Sequence, residues 1–116
     1  MPPEGHEQLA PGALGALPGE DLVARGLVDL ERGIESVEAL LVAIGAPRLR
    51  RVGVKVPSPD RLPPSPEHRL YDLLCRQAPR GAHSRYNAWI RRLVSFERCL
   101  ELERARERRR AEGRSP

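Results

Sequence analysis

The chain has 116 residues, 40% hydrophobic and 31% charged, with twenty Lys or Arg against sixteen Asp or Glu and a net charge of +4. That is one domain with material for a modest core. No apolar run approaches the roughly 18 residues that a membrane span needs. The opening Met1-Pro2-Pro3-Glu4-Gly5-His6 lacks the basic and apolar regions of a secretory signal, so a cytoplasmic protein without membrane contact is expected.

Residues 1–18 contain Pro2, Pro3, Pro11 and Pro18 among Gly5, Gly12 and Gly15, with few large apolar groups, and read as a disordered leader. From Val23 the pattern changes. Val23, Leu27, Leu30, Ile34, Val37, Leu41 and Ile44 recur at alternating steps of four and three, a coiled-coil-like seam. Gly26, Gly33 and Leu40 form a second row beside it. Glu20 and Asp21 place negative charge where a helix dipole favours it, and Gly45 followed by Pro47 reads as a stop. The seam crosses Gly33 without a phase slip, which predicts one helix over 20–44. The competing reading ends a first helix at Gly33 and starts a second at Ser36. On the continuous reading, Asp29, Glu31, Glu35 and Glu38 form an acidic outer stripe. Gly26 and Gly33 are bare patches that admit a neighbouring helix. Val23, Gly26, Leu27, Leu30, Gly33 and Ile34 are therefore the candidate partner-contact residues.

Pro47 to Arg51 allows one helical turn, and Val52-Gly53-Val54-Lys55-Val56 alternates as a short extended arm. Pro57, Pro59, Pro63, Pro64 and Pro66 make 57–66 a stiff connection. Ser65-Pro66-Glu67 is a helix start, and Leu70, Leu73 and Leu74 mark the buried side of a helix over 66–77. A last helix over 84–110, capped by Ser84, carries Tyr86, Trp89, Leu93, Phe96 and Leu100 on one face. It continues into an Arg-rich tail over 104–116. The domain proper is then 19–103. The expected fold is all-α: a small antiparallel bundle of three helices, or four if Gly33 breaks the first.

Charge is distributed unevenly. Residues 1–46 hold eight acids and two arginines, a balance of −6, whereas 47–116 hold eighteen bases and eight acids, a balance of +10. Either the halves neutralise each other or the basic half meets polyanions. Nineteen of the twenty bases are Arg, whose planar fork suits phosphate. Arg48, Arg50, Arg51, Arg91, Arg92, Arg108, Arg109 and Arg110 are the candidate phosphate contacts. Trp89 and Phe96 share a face with Leu93 and Leu100, so base stacking is not expected, and binding would be non-specific and salt-sensitive.

No constellation supports a metal or cofactor. His68 and Asp72 lie one turn apart with only Cys75 as a nearby soft ligand, short of the three or four ligands a site needs. Two cysteines, Cys75 and Cys99, in helical patterns read as reduced thiols. Ser84 and Ser95 have no identifiable base. Arg76 and His83, with six residues between them, resemble the Arg-x4–6-His spacing of HEPN-type ribonucleases, small helical proteins that are often dimeric. The resemblance implies a metal-independent RNA-cleaving pair formed across a dimer. It covers two residues, with Gln77 as the polar residue after the Arg, and Pro79 and Gly81 interrupt the stretch. The plainer reading pairs Arg76 with Asp72 and places His83 ahead of a cap. A non-enzymatic helical binding protein that self-associates or docks a protein partner is the function expected. Non-specific nucleic-acid association is the first alternative and the ribonuclease the second.

Overall fold

The computed structural model describes residues 17–113. Among them are four α-helices, α1 (Glu20–Glu31), α2 (Val37–Arg51), α3 (Pro66–Gln77) and α4 (Ala82–Gly113), and a 3-10 turn at Pro59–Arg61. The protein is all-helical, and no described helix is long and apolar enough to cross a membrane. The leader expected over 1–18 lies outside the described residues except for Leu17 and Pro18.

The helix expected over 20–44 is two helices. Gly33 takes φ +72, a left-handed conformation that costs a side chain-bearing residue energy. The Ile34 amide donates to the Asp29 carbonyl at 2.8 Å and the Gly33 amide to the Leu30 carbonyl at 3.1 Å. Those crossed bonds are a Schellman termination. Ser36 then caps α2, its hydroxyl accepting from the Ala39 amide at 3.1 Å. The stop expected at Gly45-Pro47 does not occur: α2 carries Pro47 inside it and ends six residues after Gly45, at Arg51. Gly45 serves packing instead. A Cβ there would sit 2.5 Å from Glu97 Oε2 and 3.2 Å from Leu93 Cδ1, so its absence lets α4 lie close to α2. The expected extended arm at 52–56 begins as a second Schellman turn. Gly53 has φ +92, and Val54 donates to the Leu49 carbonyl at 3.0 Å while Gly53 donates to that of Arg50 at 3.0 Å. Val54 and Leu49 are both buried there, the apolar contact that accompanies this motif.

α2 is the central element. Its apolar residues run nearly all round, so α1 packs on one side and α3 and α4 on others. Leu40, Leu41, Val42 and Leu49 of α2 are fully buried with Val23 of α1, Leu70 and Leu74 of α3, and Phe96 and Leu100 of α4. Gly26 brings α1 against α2: a Cβ there would meet the Glu38 carbonyl oxygen and Val42 Cγ2 within 2.5 Å. α3 starts as expected after Ser65, with Pro66 in its first turn, though Ser65 adopts φ +48 and its side chain makes no cap. α4 begins two residues before the expected Ser84 cap, its first turn closed by the Arg85 amide on the Gly81 carbonyl at 2.9 Å. Trp89 and Tyr86 pack half-buried on the core, and Tyr71 meets Tyr86 edge to face at 5.8 Å between ring centres. At 32 residues α4 is roughly 48 Å long. Its last six residues are exposed.

Candidate functional site

The turn between α1 and α2 is held by a polar relay. The Ser36 hydroxyl donates to Asp29 Oδ2 at 2.6 Å while it caps Ala39. Asp29, expected on an outer acidic stripe, is only 5% exposed, and Arg25 Nε approaches its carboxylate at 3.6 Å. Fixing the turn leaves Ile34, the residue after the left-handed glycine, 47% exposed. Ile34 stands at the mouth of a groove of about 230 Å³. Leu30, Ala39 and Leu40 line it from the helices, and Leu62 and Pro63 from the link that follows the 3-10 turn. Glu35, Asp60 and Arg61 supply its polar lining. Arg69 of α3 holds Glu35 through Nη2 at 3.0 Å and Nε at 3.1 Å. A hydrogen bond from Ser58 holds the Asp60 carboxyl below its usual range, so it is ionised at neutral pH. The groove thus combines apolar side chains with charge of both signs.

The six candidate partner-contact residues separate into two sets. Val23 is fully buried and Gly26 lies against α2, so the counterpart that this part of the seam needs comes from the chain itself. Leu27 packs half-buried on the core. Leu30, Gly33 and Ile34 converge on the groove. The link residues Asp60, Leu62 and Pro63 escaped the sequence reading, because a proline-rich spacer carries no periodicity to mark which residues turn inward.

The candidate phosphate contacts do not form one surface. Arg48 is committed internally: Nε and Nη2 grip the two Glu101 oxygens at 2.5 and 2.8 Å, and Nη1 reaches Glu97 Oε1 at 3.2 Å. It acts as an internal counter-ion and not as the free phosphate contact expected of it. The Glu101 hydrogen bond raises the Arg48 pKa above its already high ordinary value and lowers that of Glu101. Burial pushes the Glu97 carboxyl upward against the opposing pull of Arg48. Arg50 donates to the Pro57 carbonyl and so is also engaged within the fold. Arg51 and Arg108 share a basic recess with Arg104, a residue the sequence reading passed over. Arg91 and Arg92 line a separate cavity of about 310 Å³ beside Pro18 and Gly19, and Arg92 lies 4.7 Å from the Trp89 ring centre. Arg109 is exposed, and Arg110 pairs with Glu103 at 3.5 Å.

Arg76 and His83 occupy different settings. Arg76 lines a small polar cleft with Glu35, Arg69 and Asp72, whereas His83 Nε2 contacts Asn87 Nδ2 at 3.2 Å one turn along α4. Asp72 meets His68 at 3.6 Å. Cys75 and Cys99 are free and half-buried. Among the described residues, no three His, Cys, Asp or Glu side chains group closely enough to hold a metal. The chain matches no family model, and no curated protein or solved structure matches it.

Proposed function

We propose that the protein is a non-enzymatic interaction module: an antiparallel helical bundle, bridged by the Pro-rich connection, that docks a protein partner at the groove beside the α1–α2 turn. The observation that carries this is the groove itself, where Leu30, Gly33 and Ile34 converge with Leu62 and Pro63 and with the charged residues Glu35, Asp60 and Arg61. At about 230 Å³ it falls below the roughly 300–1,000 Å³ of small-molecule sites, and it suits a single apolar anchor residue on a partner segment. A fixed turn suits this role, because little side-chain or loop freedom is lost when the anchor enters. Docking of a different protein is favoured over self-association because Val23, the first residue of the seam, and Gly26 beside it already pack within the fold.

The test is recovery of a partner with the tagged protein from its native cells after nuclease treatment. Ile34→Arg is compared with Leu102→Arg, a change at an equally exposed leucine remote from the groove. One stoichiometric protein should accompany the unmodified chain and Leu102→Arg and be absent with Ile34→Arg. Equal recovery with Ile34→Arg removes the groove from the function. A concentration-dependent dimer in sedimentation that Ile34→Arg abolishes would replace the partner with a second copy.

A further inference from the structure

We propose that the recess between the Gly53 turn and α4 binds the phosphate backbone of a single-stranded nucleic acid through Arg51, Arg104 and Arg108. The proposal is independent of the docking groove. The recess encloses about 500 Å³ and is lined by those three arginines, Val52, Gly53 and one acid, Glu101. Both Glu101 oxygens are taken up by the Arg48 fork, and Glu97 behind it is held by the same guanidinium. Arg48 thus engages both acids and offsets one of their two charges; with Glu107 on Arg104, four arginines face three acids here, and the region keeps a net positive charge. Arg104 is fixed by Nε on the Val52 carbonyl at 2.9 Å and by Nη1 on Glu107 at 3.2 Å. Its Nη2 donates to no group among the described residues. Gly53 has no side chain to cover it, since a Cβ there would stand 3.9 Å from that nitrogen. Arg51 is drawn toward Glu97 and Glu101 electrostatically but makes no ion pair among the described residues, and Arg108 makes none there either. Both are exposed.

A single small anion would leave most of this space empty. Arg104 and Arg108 lie one helical turn apart, about 6 Å between side chains, and Arg51 of α2 faces the same recess. Three guanidinium groups so placed can hold successive phosphates of one strand. No aromatic residue lines the recess, so it offers no stacking platform and no base readout. Binding should therefore be indifferent to sequence and governed by counter-ion release.

Fluorescence anisotropy with a labelled single strand of about 16 nucleotides tests this, with salt varied between about 50 and 200 mM. The full chain should bind with affinity falling steeply with salt. Arg51→Gln with Arg108→Gln should weaken binding at least about tenfold and reduce the slope of log affinity against log salt by about 1.4. Arg80→Gln with Arg85→Gln, the same charge change at exposed residues elsewhere, should stay within about twofold of the unmodified chain. All four are surface residues, and an unchanged urea midpoint confirms that the fold is intact. The proposal is overturned if the chain does not bind at low salt or if the control pair weakens binding as much. It is also overturned if inorganic phosphate displaces the strand at millimolar concentration.

Discussion

Truncating Arg48 to Ala should destabilise the protein by an amount that depends on pH. The Glu97 side chain is 5% exposed and lies over the bare backbone at Gly45, with Arg48 as its ion-pair partner. Removing one member of a buried pair costs about 3–5 kcal/mol, because the remaining charge is uncompensated. Arg48 is 31% exposed, so water can enter its place and the lower end of that range applies. The Glu101 arm is 38% exposed and adds no more than about 1 kcal/mol. A loss of about 3–4 kcal/mol at pH 7 follows. Glu97 already has a raised pKa from burial, so its neutral form is the better tolerated one, and its stabilising contribution shrinks as pH rises through that raised value. Without Arg48 the Glu97 pKa rises further. Glu101 behaves oppositely: Arg48 lowers it, and the stability it brings is lost on acidification through the lowered value. The Glu97 effect narrows the gap between variant and parent as pH falls from 7 toward the ordinary Glu value of 4.5, leaving about 1 kcal/mol, and the Glu101 contribution is lost only below that value. Urea unfolding followed by Trp89 fluorescence at several pH values measures this, and Glu97→Gln in the Arg48→Ala background should restore most of the loss at pH 7. A deficit that is constant with pH, or smaller than about 1 kcal/mol at pH 7, would refute the reading of Glu97 as a buried charge held by Arg48.

Three further outcomes follow from backbone geometry, each read as a shift in urea midpoint. Gly26→Ala gains about 1 kcal/mol in helix propensity but forces a Cβ against the Glu38 carbonyl oxygen, so a net loss of about 1–2 kcal/mol is expected; a gain would mean that α1 and α2 do not approach so closely. Ser36→Ala removes both the α2 cap and the hydroxyl bonded to buried Asp29, and should cost about 1–2 kcal/mol. Pro47→Ala restores an amide donor at an exposed position inside α2 and should stabilise the protein by about 2 kcal/mol; a loss would place the end of α2 before Pro47.

The helices at 66–77 and from the low eighties onward were legible because their local signals agree with their packing. Pro66 follows Ser65 at a start, and Trp89, Leu93, Phe96 and Leu100 share one face. The break at Gly33 was hidden by a coincidence of spacing. The link of 32–36 lets the four-and-three rhythm pass from Leu30 through Ile34 to Val37, although only the flanking residues face the core. Periodicity records which side chains are apolar and not whether the rod between them is continuous. Gly33 and Gly53 carry the same local signature, a glycine followed by a branched aliphatic residue, and both end a helix with φ above +70. Gly45 lacks such an ending because the glycine there serves the approach of Glu97 and Leu93, a tertiary cause that no local pattern encodes.

The same distinction bears on the candidate site. The acidic and basic halves of the sequence do meet, at Glu35 with Arg69, but the strongest pairing, Arg48 with Glu97 and Glu101, lies wholly within the basic half. Half-by-half charge counting therefore marks a region as basic without showing which of its arginines are already paired. The arginine that looks freest by its position in a basic run is the most committed, because α2 and α4 meet at Gly45 and bring Glu97 beneath it. Arg104, apparently one of many in a polar tail, is fixed on the Val52 carbonyl at the Schellman turn. Both proposed surfaces thus follow from where two glycines place the backbone. Gly33 turns Ile34 outward at the groove, and Gly53 leaves the edge of Arg104 uncovered, so adding a side chain at either position should disturb the surface as well as the fold.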